Sequence, residues 1–322
     1  MTVALASVVA AGIALPHLLR LQRAAPITAC VLWLTSMALR ALAGLLAVTF
    51  LLFVLPRTEF FESVTHWCLH AVLPGLADEL NVEGHGLGDA VLLLPGIALG
   101  VSLLAACVRT ARSARVARRL VHRHVLGSGP GGSVIISGPE VAFAVAGLAR
   151  PRIVVSAGAL AALDDAELAA GLDHERGHIV RRHRFVILTA AALGALGWMI
   201  PGTRRAAAEI AFHLERDADH WALDRRNDRL ALASVIYKAA AETKEPRPPA
   251  MASLGETGVR ERLGQLLDDD PRRPSHPTVA ALNALAAAMV ACTLLLAALL
   301  PTAAVAGARG DAHEAHHAHC AH

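Results

Sequence analysis

The residues whose types and spacing could do chemistry are His174-Glu175-Arg176-Gly177-His178. On a helix, positions i and i+4 share a face one turn apart. Two imidazoles so placed can ligate one Zn²⁺ at about 2.0–2.1 Å. Glu175, beside the first ligand, reaches a water at the metal rather than the metal itself. It can then act as general base, as in the H-E-x-x-H pattern. A catalytic zinc needs a third protein ligand and an open fourth position. Glu215, in His213-Leu214-Glu215-Arg216-Asp217-Ala218-Asp219, is the best candidate. Asp219, four residues later on the same helix face, can accept from a ligand imidazole and fix its tautomer. Alone, Glu215 and Asp219 read as a solvated acidic face among Arg204, Arg205, Arg216, Arg225 and Arg226. Beside the first motif they complete a metal site.

The elements that must position these residues can be read around them. Asp164 and Glu167 have capping-box spacing, which predicts a helix from there to about Arg184 with both histidines in its middle. A second helix, about Thr203–Arg226, carries Glu215 and Asp219. Further helices are expected at about Leu230–Glu242 and Val259–Leu267, separated by a proline-rich break at Glu245–Pro249. Upstream, residues 127–133 form a glycine-rich turn; a phosphate loop would end in Lys-Ser/Thr, and this one does not. Three β-prone stretches follow, Ser133–Ser137, Val141–Val145 and Arg152–Ser156, the last two reading as a hairpin. His183, His213 and His220 are taken as surface or local structural residues; the sequence does not choose an oxyanion-stabilising group among them.

Composition sets the surroundings. The 322 residues are 55% hydrophobic and 18% charged, with five cysteines and a net charge of +3; mean hydropathy is +0.48. Soluble domains average about 25% charged residues, so disorder, a disulfide scaffold and an ordinary soluble enzyme are disfavoured. The small net charge gives no argument for a nucleic-acid partner. A membrane helix needs about 20 apolar residues. Spans are expected at about 3–19, 37–55, 90–108 and 277–305. Arg40 would snorkel to the cytoplasmic interface, unless the second span is one long tilted helix. No basic residue precedes the first run, so it reads as an anchor rather than a signal peptide. The loop 57–89 is acidic and should be external. Arg109, Arg112, Arg115, Arg118, Arg119 and Arg123 mark the inside. The expected organisation is a mainly α membrane protein with about four transmembrane helices. Residues 1–108 form an N-terminal membrane region, 109–276 a cytoplasmic α+β domain, and both termini lie outside. Phe185–Pro201 is apolar but flanked by arginines at both ends. Only 36 residues separate His178 from Glu215, too few for two crossings of about 20 residues each. One crossing would strand Glu215, so this run is expected to be buried or interfacial.

His-Glu-x-x-His followed by Glu-x-x-x-Asp resembles the membrane gluzincin peptidases. These include the heat-shock protease HtpX family, the CAAX prenyl proteases and the antirepressor peptidases of β-lactam sensor-transducers (BlaR/MecR-like). The last group is most similar, through Arg150–Ser156, Asp165–Arg184, Trp198–Pro201, Glu215–Ala222 and Arg260–Leu267. The resemblance implies a zincin-like domain in a bacterial cell membrane, one catalytic Zn²⁺, and a protein or peptide substrate cleaved on the cytoplasmic side, with a regulatory role. It also implies substrate pairing at the edge of the small sheet near 133–156. An HtpX-like quality-control protease is the nearer alternative. Only residues 306–322 follow the last span, and no lysine lies three residues after a serine. Covalent sensing of a β-lactam is therefore not expected.

The tail carries His313, His316, His317, His319, Cys320 and His322. These are accessory metal-binding candidates or a solvated low-complexity end, and a metal sensor or transport accessory is the alternative of another class. Cys30, Cys107 and Cys292 read as small core hydrophobes, and Cys68 could meet Cys320 outside the membrane.

Overall fold

The computed structural model describes residues 2–19, 21–67, 86–147, 149–242, 249–268 and 275–319. Two apolar helices open the chain. Helix α1 (Thr2–Leu18) runs into α2 (Pro26–Thr49), which starts at a proline whose missing N–H costs nothing at a helix N-terminus. A short α3 (Glu59–Trp67) precedes the long α4 (Gly86–His124). Strands β1 (Val125–Ser128), β2 (Val134–Ile136), β3 (Phe143–Ala146) and β4 (Arg152–Ser156) follow. They are succeeded by α5 (Ala157–Ala162), α6 (Asp165–Val180), α7 (His183–Leu196) and α8 (Thr203–Asp224). Helices α9 (Arg229–Glu242), α10 (Pro249–Leu267) and α11 (His276–His319) complete the described chain.

The sheet order is β1-β2-β4-β3. The expected hairpin forms, with β3 antiparallel to β4 from Phe143↔Val155 to Ala146↔Arg152. Strand β2 runs parallel to β4, and β1 pairs antiparallel to β2. The expected glycine-rich turn is shorter than 127–133, because Gly127 and Ser128 belong to β1. The reversal is made by Gly131 and Gly132, both at positive φ (63° and 78°), where a Cβ would be strained. Strand β3 is left as an edge.

Among the described residues, three helices are long and apolar enough to cross a membrane: Pro26–Val54, Leu93–Arg112 and His276–Ala298. The first apolar run gives a shorter stretch, Ala6–Leu18. The second differs from the expected 37–55 because Arg40 does not end it. Arg40 is buried at 1% exposure, within the helix. Its guanidinium bonds Ser36 Oγ, the carbonyls of Ile13 and Pro201, and His17 Nε2 at 2.6 Å. With its donors met internally, the helix continues through it, as in the long-helix alternative. Most of the acidic loop, including Cys68, lies outside the described residues. So do Cys320, His322 and the side chains of His313, His316, His317 and His319, although α11 continues through His319.

Leu32, Trp33 and Met37 of α2 form one core with Ile210 and Leu214 of α8 and Met289 of α11. Ala170, Ala222, Leu232 and Leu266 join α6, α8, α9 and α10 in a second. Val141, Ile153, Val155 and Leu172 seat the sheet on α6 in a third. The apolar run Phe185–Pro201 becomes α7, about 21 Å long at 1.5 Å per residue. It turns at 197–202 against α2, where a Cβ on Gly44 would lie 2.6 Å from the Leu196 carbonyl. Helix α8 then returns alongside, which brings Glu215 back to the histidines.

Candidate metal centre

Helix α6 is fixed at its start by the predicted capping box. Glu167 N donates to Asp164 Oδ1 at 2.8 Å, and Asp164 N donates to Glu167 Oε2 at 3.0 Å. It ends sooner than the sequence suggests. Arg182 adopts the left-handed conformation at φ 57°, so the chain breaks before Arg184 and restarts as α7. Gly177 lets α6 and α8 approach: a Cβ there would stand 3.1–3.2 Å from Trp221 and from the Ala218 backbone.

Across this contact the ligand candidates converge. His174 Nε2 and His178 Nε2 are 3.2 Å apart. Glu215 Oε2 lies 3.4 Å from His174 Nε2, and Glu215 Oε1 lies 3.4 Å from His178 Nε2. A tetrahedron with bonds of about 2.0–2.1 Å has edges of about 3.3–3.4 Å. The three residues therefore form a cluster that could hold a metal ion, and the spacing of their donor atoms suits zinc.

A hydrogen-bonded shell sets the protons. Asp219 Oδ1 sits 2.9 Å from His174 Nδ1. His183 Nδ1 sits 2.9 Å from His178 Nδ1, and its Nε2 is 3.0 Å from Asp217 Oδ2. With the imidazoles neutral, one assignment satisfies this chain: His183 donates Nε2–H to Asp217 and His178 donates Nδ1–H to His183, which leaves the His178 Nε2 lone pair turned towards His174 and Glu215. Arg262, from α10, grips Asp219 with Nε and Nη2 at 2.7 and 2.8 Å and Glu215 with Nη1 at 2.9 Å. His183 and His213 are buried at 3% and 0% exposure, which fits the local structural reading of the two rather than the surface one; His220 is exposed. Helix periodicity flags neither His183 nor Asp217 and gives Arg262 no role: Asp217 and Arg262 have partners far away in sequence, and His183 reaches His178 across the break at Arg182.

Burial opposes charge on His174, but Asp219 and Glu215 outweigh it and hold the imidazole up at about 10. Burial lowers His178 to about 4. Glu215 is held well below the usual carboxylate range by His174 and Arg262, against the cost of burial. Asp219, also opposed by burial, is pulled down to about 2 by Arg262 and His174. Burial raises Glu175 to about 7, the range that suits a general base near neutrality.

His174, Glu175, His178, Glu215 and Arg262 line a groove of about 520 Å³. Edge strand β3, α7 and α9 all contribute to its lining. Gly171 is required here, since a Cβ would lie 2.8 Å from the Phe143 ring.

Residues 109–214 match the model of peptidase family M48. The match includes His174, Glu175 and His178 and ends one residue before Glu215. It supports a metallopeptidase of that family, and peptidases of this family are metal-dependent. No curated protein and no solved structure matches the chain.

Proposed function

We propose that the protein is a membrane-embedded zinc metalloendopeptidase that cleaves a protein or peptide substrate on the cytoplasmic side, in a regulatory role. The observation that carries this reading is the meeting of two imidazole nitrogens and one carboxylate at tetrahedral edge distances, with Glu175 beside them. His174, His178 and Glu215 hold the zinc. When bound, the ion acidifies water and polarises a scissile carbonyl. Glu175 accepts the proton of the attacking water and returns it to the leaving amine. Asp219 orients His174, and His183 with Asp217 orients His178. An extended peptide adds to the free edge of β3 and presents its backbone to the groove. The six arginines at the end of α4 support the cytoplasmic placement.

The test is Glu175→Gln, compared with wild type by N-terminal peptide mapping of whole cells. The variant should keep its zinc and lose cleavage by about 10²–10⁴-fold. Unaltered cleavage products in the variant would remove the proposal.

A further inference from the structure

Beside the metal centre the groove holds a cation that the peptidase mechanism does not use. Arg184 lines it from the first turn of α7, followed one turn later by Ile187; Ile236 and Ala239 of α9 also line it. Its Nε and Nη1 are buried and have no hydrogen-bond partner. The guanidinium stacks on the Phe185 ring, 4.7 Å from its centroid, a cation–π contact that presets its position. Buried donors left unmade are costly, and native structures rarely leave them so without a reason.

The neighbouring charges show what is missing. The other guanidinium lining the groove, on Arg262, is consumed by Glu215 and Asp219. His183 is consumed by His178 and Asp217. Among the described groove-lining residues, Arg184 alone combines a permanent positive charge with unmade donors. The rest of this wall is apolar. A carboxylate entering here meets a cation whose Nε and Nη1 are already buried and unpaired, and hydrogen bonds between two charged groups are the strong ones.

We propose that Arg184 is a specificity residue, and that the groove selects peptides carrying a carboxylate at one fixed position relative to the cleaved bond. The inference deepens the peptidase reading of the same groove and rests on it. The carboxylate is either an Asp or Glu side chain or a free chain terminus.

Two arms test it, both with the full chain in lipid nanodiscs loaded with Zn²⁺. In the first, a proteome-derived peptide library is cleaved by wild type, Arg184→Gln and Arg184→Glu. Wild-type sites should be enriched in Asp or Glu at one position by about tenfold or more. Arg184→Glu should replace that enrichment with Lys or Arg at the same position. Repeating the digestion on a library with amidated C-termini separates a chain terminus from a side chain. In the second, Glu175→Gln protein, with and without Arg184→Gln, binds paired peptides differing only as Glu against Gln. The acidic member should bind about tenfold tighter, and Arg184→Gln should abolish the difference. Zinc content of each variant reports that it is folded. Cleavage that depends on Glu175 but ignores acidic residues, or an acidic preference that Arg184→Glu leaves in place, overturns the inference and spares the peptidase reading. Acid-selective binding through Arg184 without any cleavage does the reverse.

Discussion

Each candidate ligand is held by a neighbouring side chain, and those partners differ in how visible they are. His174, Glu175 and His178 stand out because helix spacing is a local rule, and Asp219 follows from Glu215 by the same rule. His183, Asp217 and Arg262 are hidden. Arg262 lies 43 and 47 residues from its two partners, and His183 reaches His178 only because the helix breaks between them. Asp217 gives a direct test of the hidden shell. Asp217→Asn exchanges the acceptor that fixes His183 for a neutral one, so His178 is no longer held in the metal-binding tautomer. Zinc affinity, measured by competition with a chelator, should fall about 10–100-fold, the usual effect of losing such a partner. An unchanged affinity would show that the chain of histidines plays no part.

At the scale of elements, α6 depends on its N-terminus. Glu167 closes the capping box and also binds Ser234 Oγ at 2.6 Å and Lys238 Nζ at 2.7 Å, tying α6 to α9. Lys238 first, then Ser234, holds the Glu167 carboxyl down at about 2. A carboxylate depressed in the folded state stabilises above its unfolded value of about 4.3, and that stability is lost as pH falls towards 2. Wild type should therefore be more stable than Lys238→Met at neutral pH. Denaturant titrations should show the gap narrowing between about pH 4.5 and 2; a constant gap through that window would contradict the linkage. The capping box was legible because its two residues are three apart. The early end of α6 was not, since Arg182 carries no glycine or proline signal. Strand β1 was obscured because Gly127 and Ser128 look like turn residues.

For the whole molecule, much of the apolar composition belongs to α1, α2 and α11, which share one core with α8. Arg40 joins these layers. It links α1 through Ile13 and His17, α2 through Ser36, and the α7–α8 turn through Pro201. Sequence reading sends an arginine in an apolar run to an interface, because neutral carbonyl partners cannot be seen in one dimension. Arg40→Ala removes the shared donor and leaves a void at the turn that returns Glu215 to the histidines. Thermal unfolding of the full chain in detergent should show a loss on the order of 1–3 kcal/mol for each acceptor orphaned. A melting temperature equal to wild type would refute that linking role.

The central claim is that one zinc is held by His174, His178 and Glu215. It is tested most directly by zinc stoichiometry in protein lacking residues 306–322, so that tail histidines contribute nothing. The account predicts about one zinc per chain in this protein and in its Glu175→Gln form, and none after His178→Ala or Glu215→Ala. A full complement of zinc in either ligand variant, or none in the parent, would contradict it.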